Sequence, residues 1–534
     1  MKTMRLSVFL LVLSFGGGVN AQQVDEGQVC EILRLAEQAN EALYRSHRFV
    51  EGWLKHCDPE TGLIPRNLQG DNYWNAQDAA ADNYPFMVLT SFFTDSALYH
   101  GKMRDMLEAE IKYTSCMGAC PATYDFQKQA FRDSITDVGN VIFGSAEYMK
   151  DGLLPLTEWL GQSPWSDRML SILDDLHKIT GVVKSIEGSY FGGMQVVEVN
   201  GDLLQILSRV YWMTGKKDYL DWAIEIADHY LLDPENSLLA LPKLRLRDHG
   251  GEIVLGLCEL YATVHFANPE KQKAYKTPLY EVLDRVLECG GNEHGMFYDE
   301  INPQDCSVVS SRLADTWGYI LDGFYIVYMI DNHVPYRDAA LKAMGNLYAH
   351  YRGYDWENGS HDGYADAVES AINLYNREPL PDVARWIDSE IRIMLDKQRE
   401  DGIIEGWHGD GNYARTAIMY ALWKSQGCYL TNWNKAMLLG ASQTEDDLVV
   451  VVKANEKWSG KLRFDTPRHR TNLNLPIDWT RINQFPEWFT PLPEKEYTLS
   501  IDGKPAQKLK GEKLHAGLSL TLDKGEQLVI RIAK

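Results

Sequence analysis

The chain has 534 residues, 45% of them hydrophobic, and a formal net charge of −22. This length can hold one large domain and a smaller one, each with its own core. The acidic balance argues against nucleic-acid binding, because phosphate recognition needs a basic face. It does not exclude an anionic ligand, since arginines that converge locally reverse the field inside a pocket.

The N-terminus has the pattern of an export signal. Lys2 and Arg5 precede an apolar run over residues 6–15, and Ala21 ends a short stretch suited to cleavage. Such a run is too short to span a bilayer, and no later run reaches the roughly 18 apolar residues that a membrane helix needs. We therefore predict a signal peptide over residues 1–21, no membrane anchor, and a protein of the periplasm or the exterior.

The eight cysteines all follow the predicted cleavage site. Export permits disulfides, and Cys116 and Cys120 are close enough in sequence to form one. The alternative is that most of the cysteines are small buried hydrophobic residues.

Hydrophobic residues recur with a period of about 3.6 from residue 22 to about residue 434. Strongly apolar helices that begin with polar and small residues alternate with ordinary amphipathic helices. Helices that are apolar on most faces must be buried, so the alternation predicts an inner ring enclosed by an outer ring. Roughly fourteen helices pair as hairpins. The predicted fold is mainly α, an (α/α)6 toroid over residues 22–434, with a ring of seven hairpins as the alternative.

The pattern changes to alternating apolar and polar residues over residues 435–534. Runs such as 448–452, 497–501 and 527–532 are typical of antiparallel strands, and they predict a C-terminal β-sandwich domain. Residues 483–489 carry Phe and Trp side chains that would form a large exposed apolar patch, so we expect this loop to dock against the toroid.

Familiar catalytic motifs are absent from the sequence. It has no Walker loop, no H-E-x-x-H, no dinucleotide glycine fingerprint and no G-x-S-x-G elbow. Ser360, His361 and Asp362 are consecutive, so they cannot form a nucleophile–base–acid triad. The histidines show no close metal-ligand spacing. We therefore expect neither a metal nor a cofactor.

Carboxylates gather at the predicted starts of the buried helices. If the inner helices run parallel, their N-termini meet at one opening of the ring, where burial and like-charge repulsion separate the pKa values of the carboxyl groups. The alternative for any one residue is helix capping, which is strongest for Asp202 and Asp410. The residues at these helix starts are Asp82, Asp248, Glu252, Asp315, Asp362, Asp366 and Glu369.

The segment over residues 244–252 holds the densest group of charged residues. Arg245 and Arg247 precede Asp248, His249 and Glu252, just before a helix too apolar to be exposed. Arginines suit a carboxylate ligand in bidentate geometry. In an extended stretch, residues 245 and 247 point the same way. The alternative is a structural ion-pair network between Arg247 and neighbouring acids.

Candidate ligand-binding residues lie near other helix starts. Trp407 and His408 belong to a glycine-rich loop, and Arg415 lies one turn into the next helix, facing either the ligand or an acid. Trp74 and Trp317 occupy a loop and a helix start, where stacking on a sugar ring is expected.

Two segments carry a family resemblance. Residues 247–254 (RDHGGEIV) and 481–489 (RINQFPEWF) resemble segments of the six-hairpin glycosidase-like superfamily, which includes unsaturated glucuronyl hydrolases and bacterial β-glucuronidases. The resemblance covers essentially the whole chain after the signal peptide. It implies a toroid with a β-sandwich, an active site at the inner-helix N-termini, and acidic roles for Asp248, Asp315 and Asp366.

The predicted activity is hydrolysis of a terminal uronic acid, a β-glucuronic acid at the end of an oligosaccharide. Asp248 and Asp315 are the first candidates for the carboxylate pair, followed by Asp366 and Glu252, and Asp82 is a candidate for substrate binding. One alternative is a uronate polysaccharide lyase with His249 or Tyr319 as its base. Another is a non-catalytic glycan-binding protein. A homo-oligomer is compatible with the sequence.

Overall fold

The computed structural model describes residues 24–70, 72–132, 138–180, 194–247 and 249–534. The predicted signal peptide over residues 1–21 lies outside the described residues. No helix within the described ranges is both long enough and apolar enough to cross a membrane.

An inner ring of seven helices lies at the centre of the described chain. Inner helices 1 and 2 are composite, because each contains a π-helical stretch. In chain order, the inner helices are Ala76–Asn83 with Tyr84–Thr94 (inner helix 1), Val138–Glu147 with Tyr148–Leu153 and Leu154–Leu160 (inner helix 2), Met194–Thr214 (inner helix 3), His249–Ala267 (inner helix 4), Trp317–Asp331 (inner helix 5), His361–Arg377 (inner helix 6) and Asn412–Lys424 (inner helix 7).

Outer helices alternate with the inner helices along the chain, and each packs on its neighbours in the inner ring. Three of them begin with proline, which fits the first helical position because its fixed φ is helical and its missing N–H is not needed there. In chain order, they are Glu26–Leu54, Ser96–His100 with Lys102–Thr114, Pro164–Ile179, Lys217–Leu231, Pro269–Cys289, Val334–His350 and Pro381–Leu395.

The ring is closed by contacts between the last and the first of its inner helices. Inner helix 7 packs against inner helix 1, and the long outer helix Glu26–Leu54 packs against both. The predicted toroid is therefore confirmed, and of the two hairpin counts that the sequence permits, the described residues form seven.

Inner helices 3 and 4 approach closely at two glycines. A Cβ atom on Gly201 would lie 2.5 Å from the backbone nitrogen of Ile253, and one on Gly256 would lie 2.7 Å from the carbonyl oxygen of Gly201. Both obstacles are backbone atoms, so neither can turn away as a flexible side chain would. The ring thus depends on the absence of a side chain at these positions.

Gly201→Ala is expected to destabilise the fold by about 3 kcal/mol, because the added methyl group overpacks a backbone contact. Urea unfolding would measure the change. Gly345→Ala is the control, since that helical glycine faces open space and its replacement should stabilise the chain by up to about 1 kcal/mol. Equal stabilities for the two variants would contradict the close approach.

The C-terminal region forms two antiparallel sheets that share one core, as a β-sandwich requires. The predicted strands are confirmed, with ends that differ by a few residues. The five-stranded sheet has the order Met437–Gln443, Asp447–Ala454, Gln527–Ala533, Glu496–Ile501 and Gln507–Lys510, and the three-stranded sheet has the order Leu518–Leu522, Trp458–Arg463 and Tyr429–Leu430.

Smaller strands lie in the connections that lead into inner helices, on the side where these helices begin. They form short antiparallel sheets, and Tyr298–Asn302 pairs with both of its neighbours, Leu244–Arg245 and Ser307–Leu313. The others are Tyr73–Trp74, Tyr124–Asp125 and Ala130–Phe131, and the pair Ser115–Met117 with Cys120–Pro121.

Residues 468–489, which we call the plug segment, leave the sandwich and enter the ring from the C-terminal ends of the inner helices. Trp479 Nε1 donates to Glu259 Oε2 of inner helix 4 at 3.0 Å, and Thr480 Oγ1 donates to the Asp322 carbonyl of inner helix 5 at 2.8 Å. Phe485 is fully buried. The predicted docking of this loop on the toroid is therefore confirmed.

Of the two alternatives for the cysteines, the disulfide between Cys116 and Cys120 is not formed. Cys116 and Cys120 are both free, and the described disulfide joins Cys289 to Cys306. In the short hairpin that contains the first two, Cys120 lies opposite Met117. The observed disulfide ties the end of an outer helix to the hairpin before inner helix 5.

Candidate active site

The inner helices begin at one opening of the ring, which we call the mouth. Two π-helical turns face each other there, Ala76–Asn83 and Tyr148–Leu153, and they bring Asp82 and Asp151 together. Gly152 permits the contact, since a Cβ atom would lie 3.0 Å from the Ala80 carbonyl oxygen of the facing turn. π-Helical turns are rare and are frequent at functional sites.

Asp82 is surrounded by other acids. Burial raises the pKa of its carboxyl group well above the usual value, and the charges of Asp151, Asp410 and Asp78 raise it further. Arg415 opposes the shift but is too distant to offset it. His408 Nε2 lies 3.6 Å from Asp82 Oδ2. Asp82 therefore keeps a proton in the range where an ordinary aspartate is ionised.

Lys150 is the cation on the inner helix 2 side of the mouth. Its Nζ lies 2.8 Å from Asp151 Oδ1 and 2.5 Å from Glu252 Oε1, and Gln205 donates to the other oxygen of Glu252 at 2.5 Å. Burial, with the charges of Asp202 and Asp151, raises the pKa of Glu252 to about 8 although Lys150 lowers it. The single positive charge of Lys150 thus lies beside the carboxyl groups of both Asp151 and Glu252, and it cannot neutralise both.

Arg415 is the cation on the opposite side, where inner helices 6 and 7 meet. Its Nη2 lies 2.6 Å from Asp366 Oδ1 and 2.8 Å from Glu369 Oε2. Burial still raises the pKa of Asp366 well above its usual value, and Glu369 and Asp315 add to the effect. Burial likewise raises the pKa of Glu369.

Between these groups lie Asp362 and Asp410. Burial and the charges of Asp410 and Asp366 raise the pKa of Asp362 well above its usual value. Burial would also raise the pKa of Asp410, but His361, whose Nδ1 lies 2.9 Å from Asp410 Oδ2, outweighs it, so the pKa is lowered. The mouth therefore contains carboxyl groups whose pKa is raised, such as that of Asp362, beside the carboxyl group of Asp410, whose pKa is lowered.

Such a mixture has a defined chemical use. Cleavage of a glycosidic bond needs one protonated carboxyl group to donate to the leaving oxygen and one ionised carboxylate as base or nucleophile. Asp82 has the properties of the first. Asp151 accepts hydrogen bonds from two donors, Lys150 at 2.8 Å and Asn483 at 2.7 Å, which is a suitable environment for the second.

The structure brings most of the predicted acidic residues together. Asp82, Glu252 and Asp366 lie at the mouth, and Asp315 Oδ1 lies 3.6 Å from Arg247 Nε. Asp248 and the side chain of His249 fall outside the described residues.

The two predicted arginines lie on one side of an extended stretch. Leu244 and Leu246 are fully buried, whereas Arg245 and Arg247 between and after them are half-buried, as the period of two predicts. Arg247 also has acidic neighbours, and its Nη2 lies 3.2 Å from Glu357 Oε1. Both interpretations of the segment thus have structural support.

Three residues predicted as ligand contacts are buried. Arg415 is 2% exposed and its guanidinium contacts Asp366 and Glu369, which is the second of the two arrangements predicted for it. Trp74 and Trp317 are 2% and 0% exposed, so neither offers a face for stacking. Trp317 begins inner helix 5 as predicted, but the neighbouring helices cover it. By contrast, Trp407 is 76% exposed, with Arg66 over its ring at 4.7 Å.

The sequence interpretation missed Lys150, Asp151 and Asn483. Lys150 and Asp151 lie within a helix rather than at its start. The sequence signal that could have revealed them is a pair of charges inside an otherwise apolar run.

Asp202 also lies within a helix, because inner helix 3 begins at Met194, so the capping interpretation of that residue is wrong.

One group at the mouth has the composition of a metal site. Ligand atoms of Asp78, Asp82 and His408 lie within 4.8 Å of one another. However, Arg66 Nε lies 2.5 Å from Asp78 Oδ2, so the Arg66 guanidinium already forms an ion pair with this group. We assign no metal to it.

No protein-family model matches the chain, and no curated protein matches it in sequence. Similar solved structures include an inactive variant of the α-1,6-mannanase GH76A of Salegentibacter sp. HEL1_6 in complex with α-1,6-mannotriose. Its TM-score is 0.39 at 11% identity, over 71% of this chain and 98% of its own. A family 76 glycoside hydrolase (mannosidase) from Bacteroides thetaiotaomicron has a TM-score of 0.40 at 13% identity, over 72% and 98%.

An unsaturated glucuronyl hydrolase from Bacillus sp. GL1 is also similar, with a TM-score of 0.35 at 13% identity, over 54% of this chain and 86% of its own. The solved structures thus include a member of a class that the sequence resembles.

Proposed function

We propose that this chain is a glycoside hydrolase that removes a terminal uronic acid from an oligosaccharide. The observation that carries the proposal is the contrast at the mouth between Asp82, which burial and like charges keep protonated, and Asp151, which two donors contact. Asp82 is the proposed general acid and Asp151 the proposed base or nucleophile. Asp315 and Asp366 at the mouth remain candidates for these roles, and Asp248 remains one from the sequence.

Arg245 and Arg247 support the uronic acid as the substrate class. They share one side of the stretch that leads into inner helix 4, where helix N-termini add partial positive charge. The chain as a whole repels anions, so binding an acidic sugar requires a local cationic group of this kind. Trp407, exposed beside Arg66, is the proposed stacking surface for a further sugar ring.

Elimination with Tyr319 as the base is disfavoured. A lyase needs a base that is deprotonated before it acts, and Tyr319 is one of the two candidates from the sequence. Tyr319 is 4% exposed, and burial with the charges of Asp366 and Glu369 raises the pKa of its phenol well above the usual value. A phenol in that environment is a poor base.

The uronate assignment is tested by comparing kcat/KM for a β-glucuronide and the matching β-glucoside. We expect the glucuronide to be preferred about ten- to a hundredfold, because the glucoside leaves a charge-assisted hydrogen bond unmade. Arg245→Gln should abolish the preference. Arg34→Gln is the control, since that exposed arginine pairs with Glu31 on an outer helix. Equal rates on both substrates would refute the assignment.

A further inference from the structure

Asn483, in the plug segment, reaches the floor of the mouth from the C-terminal side of the ring. It is 2% exposed, and its backbone is left-handed with φ of 58°. Its N–H donates to Glu369 Oε1 at 2.6 Å. Its side-chain oxygen accepts from Arg415 Nη1 at 2.7 Å, and its side-chain nitrogen donates to Asp151 Oδ1 at 2.7 Å. Each of these polar groups thus contacts a charged group of the site.

These contacts place Asn483 between the two charge networks of the mouth. On one side, Arg415 continues to Asp366 at 2.6 Å. On the other side, Asp151 continues to Lys150 at 2.8 Å. No other residue that the structure describes is shown to hydrogen bond with both Arg415 and Asp151. The β-rich C-terminal region therefore contributes directly to the candidate active site.

The chemistry of the position calls for an amide. Asparagine adopts the left-handed backbone more readily than most residues, and glycine does so without strain. An amide offers an acceptor for the guanidinium and a donor for the carboxylate on two separate atoms of one short side chain. Aspartate would keep the acceptor but would place a second carboxyl group against Asp151.

We propose that Asn483 is a positioning residue for the reaction, which holds Asp151 in place as the base or nucleophile and fixes Arg415 beside Asp366. This inference rests on the proposed function. The opposite interpretation is that Asn483 only anchors the plug segment.

The test is the pH profile of kcat for Asn483→Gly and Asn483→Asp in the full chain. Asn483→Gly removes the side chain and keeps the backbone, and we expect kcat to fall about tenfold with KM nearly unchanged. Asn483→Asp should lower kcat further and move the acidic limb of the profile to higher pH, because two adjacent carboxyl groups share a proton. Asn474 provides matched controls, since it lies in the same segment with φ of 56° and is exposed.

Asn474→Gly and Asn474→Asp should retain the wild-type profile. If the Asn483 variants lose activity only in proportion to lost folded protein, with the acidic limb unmoved, the positioning role is overturned. If the wild type cleaves a neutral glycan instead of a uronide, the same profiles measured on that glycan decide the role of Asn483.

A second readout does not depend on turnover. Asn483→Asp should lower Tm increasingly as pH rises, relative to Asn474→Asp, because the added carboxylate repels Asp151 once both are ionised. If no glycan is cleaved at all, the proposed function fails, and a Tm difference independent of pH would overturn the placement of Asn483 as well.

Discussion

Asp82→Asn should lower kcat about a thousandfold on the preferred substrate while leaving the fold intact, as expected when a general acid is removed. The amide has nearly the same shape, and it is neutral beside Asp151, Asp410 and Asp78 without having to take up a proton on folding. Stability should therefore be equal to or greater than that of the wild type. A residue whose replacement abolishes turnover and stabilises the chain has a chemical role rather than a structural one.

The control is Asp175→Asn. Asp175 lies on the outer helix Pro164–Ile179 and accepts a hydrogen bond from the Ala119 N–H at 2.7 Å, away from the mouth. Its replacement should leave kcat unchanged. Asp248→Asn remains the corresponding prediction from the sequence. Near-normal kcat in a folded Asp82→Asn protein, with loss of turnover in Asp248→Asn, would transfer the acid role to Asp248.

Arg481→Met should destabilise the chain by about 3–5 kcal/mol, because it leaves buried acids without their cation. Arg481 is 0% exposed, and its Nη2 lies 2.8 Å from Glu158 Oε1 and 2.9 Å from Asp478 Oδ1. This network fastens the plug segment to inner helix 2. Urea unfolding of the purified variant, or its failure to accumulate as folded protein, measures the loss.

Two further variants show whether charge or packing is responsible. Adding Glu158→Gln to Arg481→Met should recover part of the stability, since the double variant no longer buries that uncompensated carboxylate. Arg531→Met is the control, because Arg531 also contacts an aspartate, Asp447, but is 26% exposed, and its loss should cost about 1 kcal/mol or less. Similar losses at Arg481 and Arg531 would contradict the account.

The architecture was predictable because burial determines composition. Inner helix 5 is apolar on all faces over most of its length, whereas Pro381–Leu395 carries a single apolar stripe, and this contrast alone indicates two concentric rings. The number of hairpins was harder to predict. Inner helices 1 and 2 are interrupted by π-helical turns, which disturb the period of about 3.6 on which the count depends.

The candidate site was predictable only where its functional side chains lie at the start of a helix. Asp362 and Asp366 follow that rule. Asp82 and Asp151 both lie in π-helical turns, but Asp82 comes just before the α-helical part of inner helix 1, whereas Asp151 lies far inside inner helix 2. Asn483 could not be assigned from sequence. Its segment lies more than a hundred residues after inner helix 6 in the sequence, and it enters the site from the other end of the ring. Such contacts depend on tertiary packing.

The buried tryptophans illustrate the same limit. Trp317 and Trp407 both lie near helix starts in the sequence, yet one is fully buried and the other is 76% exposed. Local sequence shows that an aromatic ring lies near the mouth. Only the packing of the neighbouring helices decides which ring a sugar can reach.

Product analysis in isotopically labelled water tests the central claim most directly. The wild-type chain would be incubated with oligosaccharides that end in a uronic acid, and the products weighed by mass spectrometry. Hydrolysis predicts a free uronic acid and a shortened oligosaccharide, with one oxygen from the labelled water in one of the two products. Asp82→Asn should give neither product. A product with a new double bond and no label, or labelled release from neutral glycans alone, would contradict the account.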